Sequence, residues 1–163
     1  MKSIELSNHS PALVDDDDFT RLSRHTWWAS EMTNERSDKS QWSVETQIDG
    51  KTVKMHRFIT NAPEDMDVDH KNGNQFDNQK DNLRVCTRSQ NLANASKYVR
   101  RKGSSSKFKG VSWYSKPKKW AASLQCNGER IWLGLFELEV DAARTYNEAA
   151  RKYFGEFAKV NNV

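Results

Sequence analysis

The chain has 163 residues, 36% of them hydrophobic and six of them Trp, enough for one compact domain or two small ones and too apolar for disorder. No apolar run approaches the roughly 18 residues needed to cross a bilayer, and the opening MKSIELSNHS lacks the apolar core of a signal peptide, so a soluble, intracellular protein is expected, with no membrane partner. The net charge of +4 is unevenly placed: residues 1–91 hold 12 Lys+Arg against 16 Asp+Glu, and residues 92–163 hold 14 against 6, so the second half is the basic one.

In chain order, PALV, TWWAS and QWSVETQ are short apolar or alternating runs, the last followed by the hairpin-favouring Asp49-Gly50, and together they predict a small antiparallel sheet. The acidic run Asp15 to Asp18 stands just ahead of Phe19 and Leu22, where acids suit the positive end of a short helix better than a metal site. MHRFI, residues 55–59, reads as a short helix or strand. Residues 67–91, DVDHKNGNQFDNQKDNLRVCTRSQN, then place one His beside an acid and follow them with many amides. Asn72, Asn74 and Asn78 read as turn formers. A helix is expected from about Arg88 to Tyr98, carrying Asn91 in its first turns and Asn94 on the same face as a supporting group. Cys86 and Cys126 stand outside any paired spacing and read as two buried thiols, neither a disulfide nor a zinc site.

The Gly-Ser break at residues 102–107 falls where the charge balance changes sign, and the domain boundary is expected there. Around it Lys97, Arg100, Arg101, Lys102, Lys107 and Lys109 occur without an intervening acid, as in a segment that tracks phosphates. Beyond it, Val111 to Tyr114, Trp120 to Gln125 and Arg130 to Leu135 are strand-like, the last two joined by Asn127-Gly128. Val140, Ala143, Tyr146, Ala150 and Tyr153 recur at helical spacing, with Gly155 as the stop. Alternation turns Val111, Trp113, Trp120, Ala122, Leu124, Ile131 and Leu133 toward that helix and leaves Ser112, Tyr114, Ser123, Gln125, Arg130 and Trp132 on an open face.

Two sets of residues carry chemistry. His56-Arg57, Val68-Asp69-His70, Gly73, Asp77-Asn78, Asn82-Leu83-Arg84 and Gln90-Asn91, with twelve residues from His70 to Asn82 and nine more to Asn91, resemble the HNH nucleases, a family with a ββα-metal fold. The resemblance implies His70 as general base, Asp69 and Asn91 as ligands of one Mg²⁺ or Mn²⁺, and Asn82 as the brace tying the loop to the second strand. The chemistry is apt in its own right: cutting a phosphodiester needs water deprotonated near neutral pH and a cation at the departing oxyanion. An imidazole suits the first task and hard oxygen donors with open positions suit the second. Neighbours in a strand face opposite ways, so Asp69 and His70 serve one centre only if the strand ends or bends there, which Gly73 permits. Arg84 could grip a phosphate or pair with a nearby acid, and His56 reads as packed.

The second set is Gly110-Val111, Lys119-Trp120-Ala121-Ala122, Trp132-Leu133-Gly134, Phe136, Ala142-Ala143, Tyr146, Ala149-Ala150 and Gly155, which resembles the plant ethylene-response-factor domain, or Apetala-two type. That family lays its three-stranded sheet in the DNA major groove. The resemblance makes Arg130, Trp132, Tyr114, Gln125, Ser112 and Lys119 candidate DNA contacts, with Arg100, Arg101 and Lys102 of the basic segment gripping phosphates. Only Arg130 and Trp132 match the plant pattern, and Ser112, Tyr114, Ser123 and Gln125 depart from it, so the plant target sequence does not carry over.

The expected fold class is α+β: an HNH unit over residues 1–98 with its motif core at 66–95, preceded by the small antiparallel sheet, a basic Gly/Ser linker at 99–108, and a three-stranded antiparallel sheet packed on one helix over 109–163. The expected activity is site-directed hydrolysis of double-stranded DNA to 5′-phosphate and 3′-hydroxyl ends, as in phage- or microbe-encoded homing endonucleases. It requires no small-molecule cofactor, and a monomer would nick where a homodimer could cut both strands. The competing reading is a sequence-specific DNA-binding regulator with an inactive nuclease scaffold.

Overall fold

The structure, a computed structural model, describes residues 1–32, 41–95 and 105–163. It is α+β, with four small antiparallel sheets and four helices among the described residues. These fall into two compact units, one of residues 1–32 and 41–87, the other of residues 88–95 and 105–163. No helix among the described residues is long and apolar enough to cross a membrane.

In the first unit β1 (Lys2–Leu6) pairs antiparallel with β2 (His9–Val14). The helix α1 (Asp16–Leu22) follows, with three acids in its first turn, where they favour the positive end of the helix. A second sheet has the order β3 (Trp28–Met32), β4 (Gln41–Ile48), β5 (Lys51–Lys54). Asp49 and Gly50 close the β4–β5 hairpin with φ of 50° and 73°, the paired positive values that a tight hairpin turn requires. The expected single sheet of PALV, TWWAS and QWSVETQ is thus two: PALV pairs with Lys2–Leu6, whose alternation Ile4-in, Glu5-out, Leu6-in marks it as a strand. Then come the helix α2 (Met55–Thr60), ended by Asn61 in the left-handed region, and a two-stranded ladder of β6 (Asp67–His70) and β7 (Leu83–Cys86). One core of Val14, Leu22, Trp27, Val44, Met55 and their neighbours joins these pieces, and the Trp27 indole N–H donates to the Leu22 carbonyl at 2.8 Å.

The second unit begins with α3 (Arg88–Asn94), shorter than the expected run to Tyr98, of which residues 96–98 lie outside the described residues. Its sheet has the order β10 (Glu129–Phe136), β9 (Lys119–Cys126), β8 (Val111–Tyr114), and α4 (Glu139–Phe154) lies across one face before a 3-10 turn at Gly155–Phe157. Gly110, at φ 75°, passes so close under the helix that a Cβ there would overlap the Tyr146 ring and come within 2.7 Å of the Ser123 carbonyl oxygen.

Three expectations for this unit need correction. Val140 and Tyr153 are exposed; the buried stripe of α4 is Ala142, Ala143, Tyr146, Asn147, Ala150 and Phe154. Asn147 tolerates burial because its amide exchanges two hydrogen bonds with the backbone of Asn161, at 2.9 and 2.7 Å. Trp113 is 41% exposed at the end of the sheet, edge-on to its cross-strand partner Trp120. Cys86 is buried, but Cys126 is only half-buried. The compact units divide between residues 87 and 88, and Ala93 of α3 packs with Leu124, Tyr146, Ala150 and Phe154 of the second. Of the expected linker, residues 99–104 lie outside the described residues, and residues 105–108 belong to the folded unit, with Phe108 in its core.

Candidate functional site

The strand β6 ends at His70. The Gly73 N–H returns to the His70 carbonyl at 2.9 Å, with Gly73 at φ 76°, so the chain turns where the sequence required it to. Asp69 lies opposite Arg84 in the ladder, and the guanidinium places Nε and Nη2 on the same carboxylate oxygen, Oδ2, each at 2.8 Å, both side chains being nearly buried. Of the two roles open to Arg84, the structure shows the acid pair.

His70 is buried, its Nε2 3.3 Å from Asn78 Oδ1 and its ring edge-on to His56 at 5.3 Å. The Asn78 amide is oriented by its other end, since Nδ2 donates to the Gln75 carbonyl at 3.0 Å. Oδ1 can only accept, which puts the imidazole proton on Nε2 and the basic lone pair on Nδ1. Burial pulls the His70 pKa below the usual histidine value, while the Asn78 hydrogen bond and the Asp69 charge pull the other way. Burial, reinforced by His70, pushes His56 down to about 3, so the neighbour of His70 is a neutral ring, packed as expected.

The loop from residue 71 to 82 is held at several points. The Asn82 side chain donates to the Asp77 carbonyl at 2.7 Å and to Asn72 Oδ1 at 3.1 Å, and accepts from the Asn72 N–H at 3.1 Å. Asn72 and Asn74 each close a turn onto the N–H two residues on, as expected of them. Leu13 of β2 bonds the loop through its N–H to Phe76 and its carbonyl to Asn78. The acidic run has a second use besides starting α1: Asp15 accepts from the Lys80 N–H at 2.7 Å, and Asp18 pairs with both Arg21 and Lys80. Asn78 is the residue the sequence reading misplaced. It is completely buried and bonded to His70, whereas in one sequence nothing separates it from the turn-forming Asn72 and Asn74.

The structure therefore gathers Asp69, His70, Asn78 and Asn82 in the first unit and places Asn91, half-buried on α3, in the second.

The open face of the three-stranded sheet carries Ser112, Tyr114, Ser123, Gln125, Arg130 and Trp132. Arg130 stands opposite Gln125, and Trp132 opposite Ser123. Arg130 Nε donates to Ser123 Oγ at 3.1 Å, its guanidinium lies 6.0 Å from the Trp132 ring centre, and Tyr114 meets that ring at 5.7 Å. Trp132 is nonetheless 48% exposed. A register shift between Trp132 and Gly134 adds Leu135 to this face, opposite Ala121, a change that strict alternation cannot foresee. Lys119 is paired with Glu137 at 2.9 Å. Lys109 does not track phosphates: its ammonium is turned inward onto backbone carbonyls, and burial pulls its pKa down to about 8. Lys97, Arg100, Arg101 and Lys102 lie outside the described residues.

The HNH endonuclease family model matches residues 61–93, the stretch that holds Asp69, His70, Asn78, Asn82 and Asn91. An uncharacterized HNH endonuclease, L560, of Acanthamoeba polyphaga mimivirus is 32% identical over 158 residues, covering 93% of this chain and 75% of the viral protein. The chain belongs to the HNH endonuclease family. Shorter similarities link parts of it to plant proteins: 44% identity over 45 residues with dehydration-responsive element-binding protein 2A of Oryza sativa subsp. indica, and 36% over 59 residues with the AP2-like ethylene-responsive transcription factor TOE2 of Arabidopsis thaliana. They cover 26% and 36% of this chain, and only 16% and 12% of the plant proteins. No solved structure matches the chain.

HNH endonucleases generally use a divalent metal. Among the described residues no three His, Cys, Asp or Glu side chains cluster as a cage. In the first unit the hard donor is the carboxylate of Asp69, held by Arg84. A donor of that kind fits a hard cation that keeps most of its waters.

Proposed function

We propose that this HNH endonuclease is a site-directed DNA nuclease of the homing type, with His70 as its general base and Asp69 and Asn91 as ligands of one Mg²⁺ or Mn²⁺. The observation that carries the reading is the His70–Asn78 pair. With its Nε2 proton directed at Asn78, the imidazole has its basic lone pair on Nδ1, and the lowered pKa favours the neutral ring that a general base requires at neutral pH. His70 takes the proton as the water attacks phosphorus in line with the 3′ oxygen. The products are a 5′-phosphate and a 3′-hydroxyl. Asn82 keeps the loop that bears Asn78 closed, and Arg84 orients the Asp69 carboxylate. The cation, when bound, supplies the positive charge that stabilises the departing oxyanion.

The second unit is, in this reading, the DNA-binding domain, of the Apetala-two type. An exposed Trp beside an Arg on a bare sheet face, with Tyr114, Ser112 and Gln125 around them, suits double-stranded DNA, and the partial similarity to a plant element-binding protein and an AP2-like transcription factor supports the assignment. Arg100, Arg101 and Lys102 would add phosphate contacts that depend on salt and not on sequence. A relative encoded by a virus is in keeping with a mobile enzyme. A monomer with one centre nicks, and a homodimer cuts both strands.

One observation favours the regulator reading: the Arg84 guanidinium already neutralises Asp69, the carboxylate that would hold the ion. The two readings part on cleavage: a regulator retards DNA and leaves it intact with Mg²⁺ present. Cleavage that chelation abolishes and Mg²⁺ or Mn²⁺ restores, with ends that DNA ligase rejoins directly, is the result expected of the nuclease. Chelator-resistant cutting, or ends that ligase cannot join, would contradict the mechanism.

A further inference from the structure

Within the first unit, the end of β2 runs beside the loop that bears Asn78, and the two segments pair as parallel strands do. Leu13 is bridged to Asp77: its N–H donates to the Phe76 carbonyl at 2.7 Å, and its carbonyl accepts from the Asn78 N–H at 2.8 Å. Bonds in a parallel ladder are evenly spaced, so the next rung would run from the Lys80 N–H to the backbone carbonyl of Asp15. That carbonyl is already engaged, accepting from the Asp18 and Phe19 N–H groups at 3.2 Å each as the chain turns into α1. The Asp15 side chain makes the rung instead, Oδ2 accepting from the Lys80 N–H at 2.7 Å. An Asp at the start of a helix ordinarily turns its side chain onto an N–H of its own first turn, and Asp15 makes no such bond. The local cap is given up for a partner 65 residues away in the chain. A second tie runs beside it. Asp18, buried in α1, has Oδ2 3.2 Å from Lys80 Nζ and Oδ1 on Arg21, whose guanidinium donates to the Phe58 and Ile59 carbonyls of α2, the helix whose His56 packs on His70.

We propose that Asp15 is a positioning residue for the base, which by carrying the ladder one rung past the end of β2 holds residues 76–80 in place and so presents the Asn78 oxygen to His70 Nε2. Asn78 lies between the Leu13 rung and the Asp15 rung, and releasing the second leaves it held from one side of the ladder. The acidic run is then part of the cutting machinery at one remove, acting through Asn78. The inference rests on the assignment of His70 as the base. A misplacement of about 1 Å at a reacting group costs on the order of 10²-fold in rate, so slack in this loop has a measurable size.

Cleavage of supercoiled plasmid by the full chain with Mg²⁺, together with the ¹⁵N NMR signals of the His70 ring, tests this. Asp15→Ala, which loses the acceptor and no cap bond, is expected to lower kcat by about 10-fold or more with KM for the plasmid unchanged, and to shift the His70 Nε2 signal as the Asn78 bond loosens. Asp15→Asn keeps an amide oxygen at the same reach and should restore both, which makes the acceptor and not the charge responsible. A merely structural Asp15 would leave the folded Ala variant with the wild-type kcat and the wild-type ring signals, and that result overturns the inference. His70→Ala separates the two possible failures: if it cuts at the wild-type rate, the base assignment itself is wrong, and if it is slow while Asp15→Ala is not, only the positioning role is lost. Should Asp15→Ala fail to fold, Asp15→Ser, which keeps a residue suited to starting a helix but whose hydroxyl stops short of Lys80, is measured with the same outcomes.

Discussion

At the scale of single residues, the proposed mechanism turns on which nitrogen of His70 holds the proton. Asn78 decides it, through an oxygen that can only accept. Replacing that neutral acceptor by a carboxylate, Asn78→Asp, favours the imidazolium and raises the His70 pKa. Because the base works when neutral, the acid limb of kcat/KM against pH should move to higher pH; an unmoved limb would remove Asn78 from the mechanism. Arg84→Met leaves the Asp69 carboxylate buried without its cation, and the first unit should lose on the order of 3 kcal/mol or more, measured by urea denaturation. Of the residues that the resemblance to the HNH nucleases singled out, Asp69, His70 and Asn82 gather around one loop, because a His at a strand end and an amide that closes a loop are local features that sequence order fixes, whereas Asn91 belongs to the second unit. Asn78 was not legible: its difference from Asn72 and Asn74 lies in burial, which depends on Leu13 of β2 sixty-five residues away in the chain.

At the scale of elements, the hairpins were the most legible part, since Asp49-Gly50 and Asn127-Gly128 name their own turn geometry and all four residues have positive φ. The pairing of PALV with Lys2–Leu6 was less so, because alternation marks a strand without naming its partner. The edges of α4 were misjudged for a similar reason. An apolar residue such as Val140 or Tyr153 can sit beside the buried stripe, while Asn147 within it is polar and satisfied by Asn161. Gly110 joins sheet to helix at a point with no room for a side chain, so Gly110→Ala combines an unfavourable φ with overpacking and should destabilise the second unit by roughly 2–4 kcal/mol in thermal or urea unfolding. A loss under about 0.5 kcal/mol would mean that Tyr146 moves aside freely.

For the whole molecule, two consequences follow from burying titratable groups beside DNA-cutting chemistry. His56 has a folded pKa of about 3 against the usual 6.5, so above pH 6.5 it is neutral folded or unfolded and stability is indifferent to it. As pH falls below 6.5 the unfolded chain takes up a proton that the fold refuses, and stability is lost at up to about 1.4 kcal/mol per pH unit. Urea denaturation at pH 7, 6 and 5 should show this slope, shallower in His56→Gln; equal slopes would mean that the imidazole is better solvated than its burial implies. The second consequence is functional: in the proposed mechanism the loop of the first unit carries the base. The most direct test of His70 as the base is supercoiled plasmid incubated with Mg²⁺ and the full chain. The wild type should convert it to nicked or linear DNA, with His70→Ala slower by about 10²-fold or more while still retarding the plasmid in a gel. Plasmid left supercoiled by a wild type that binds it, or cut by His70→Ala at the wild-type rate, would contradict the account.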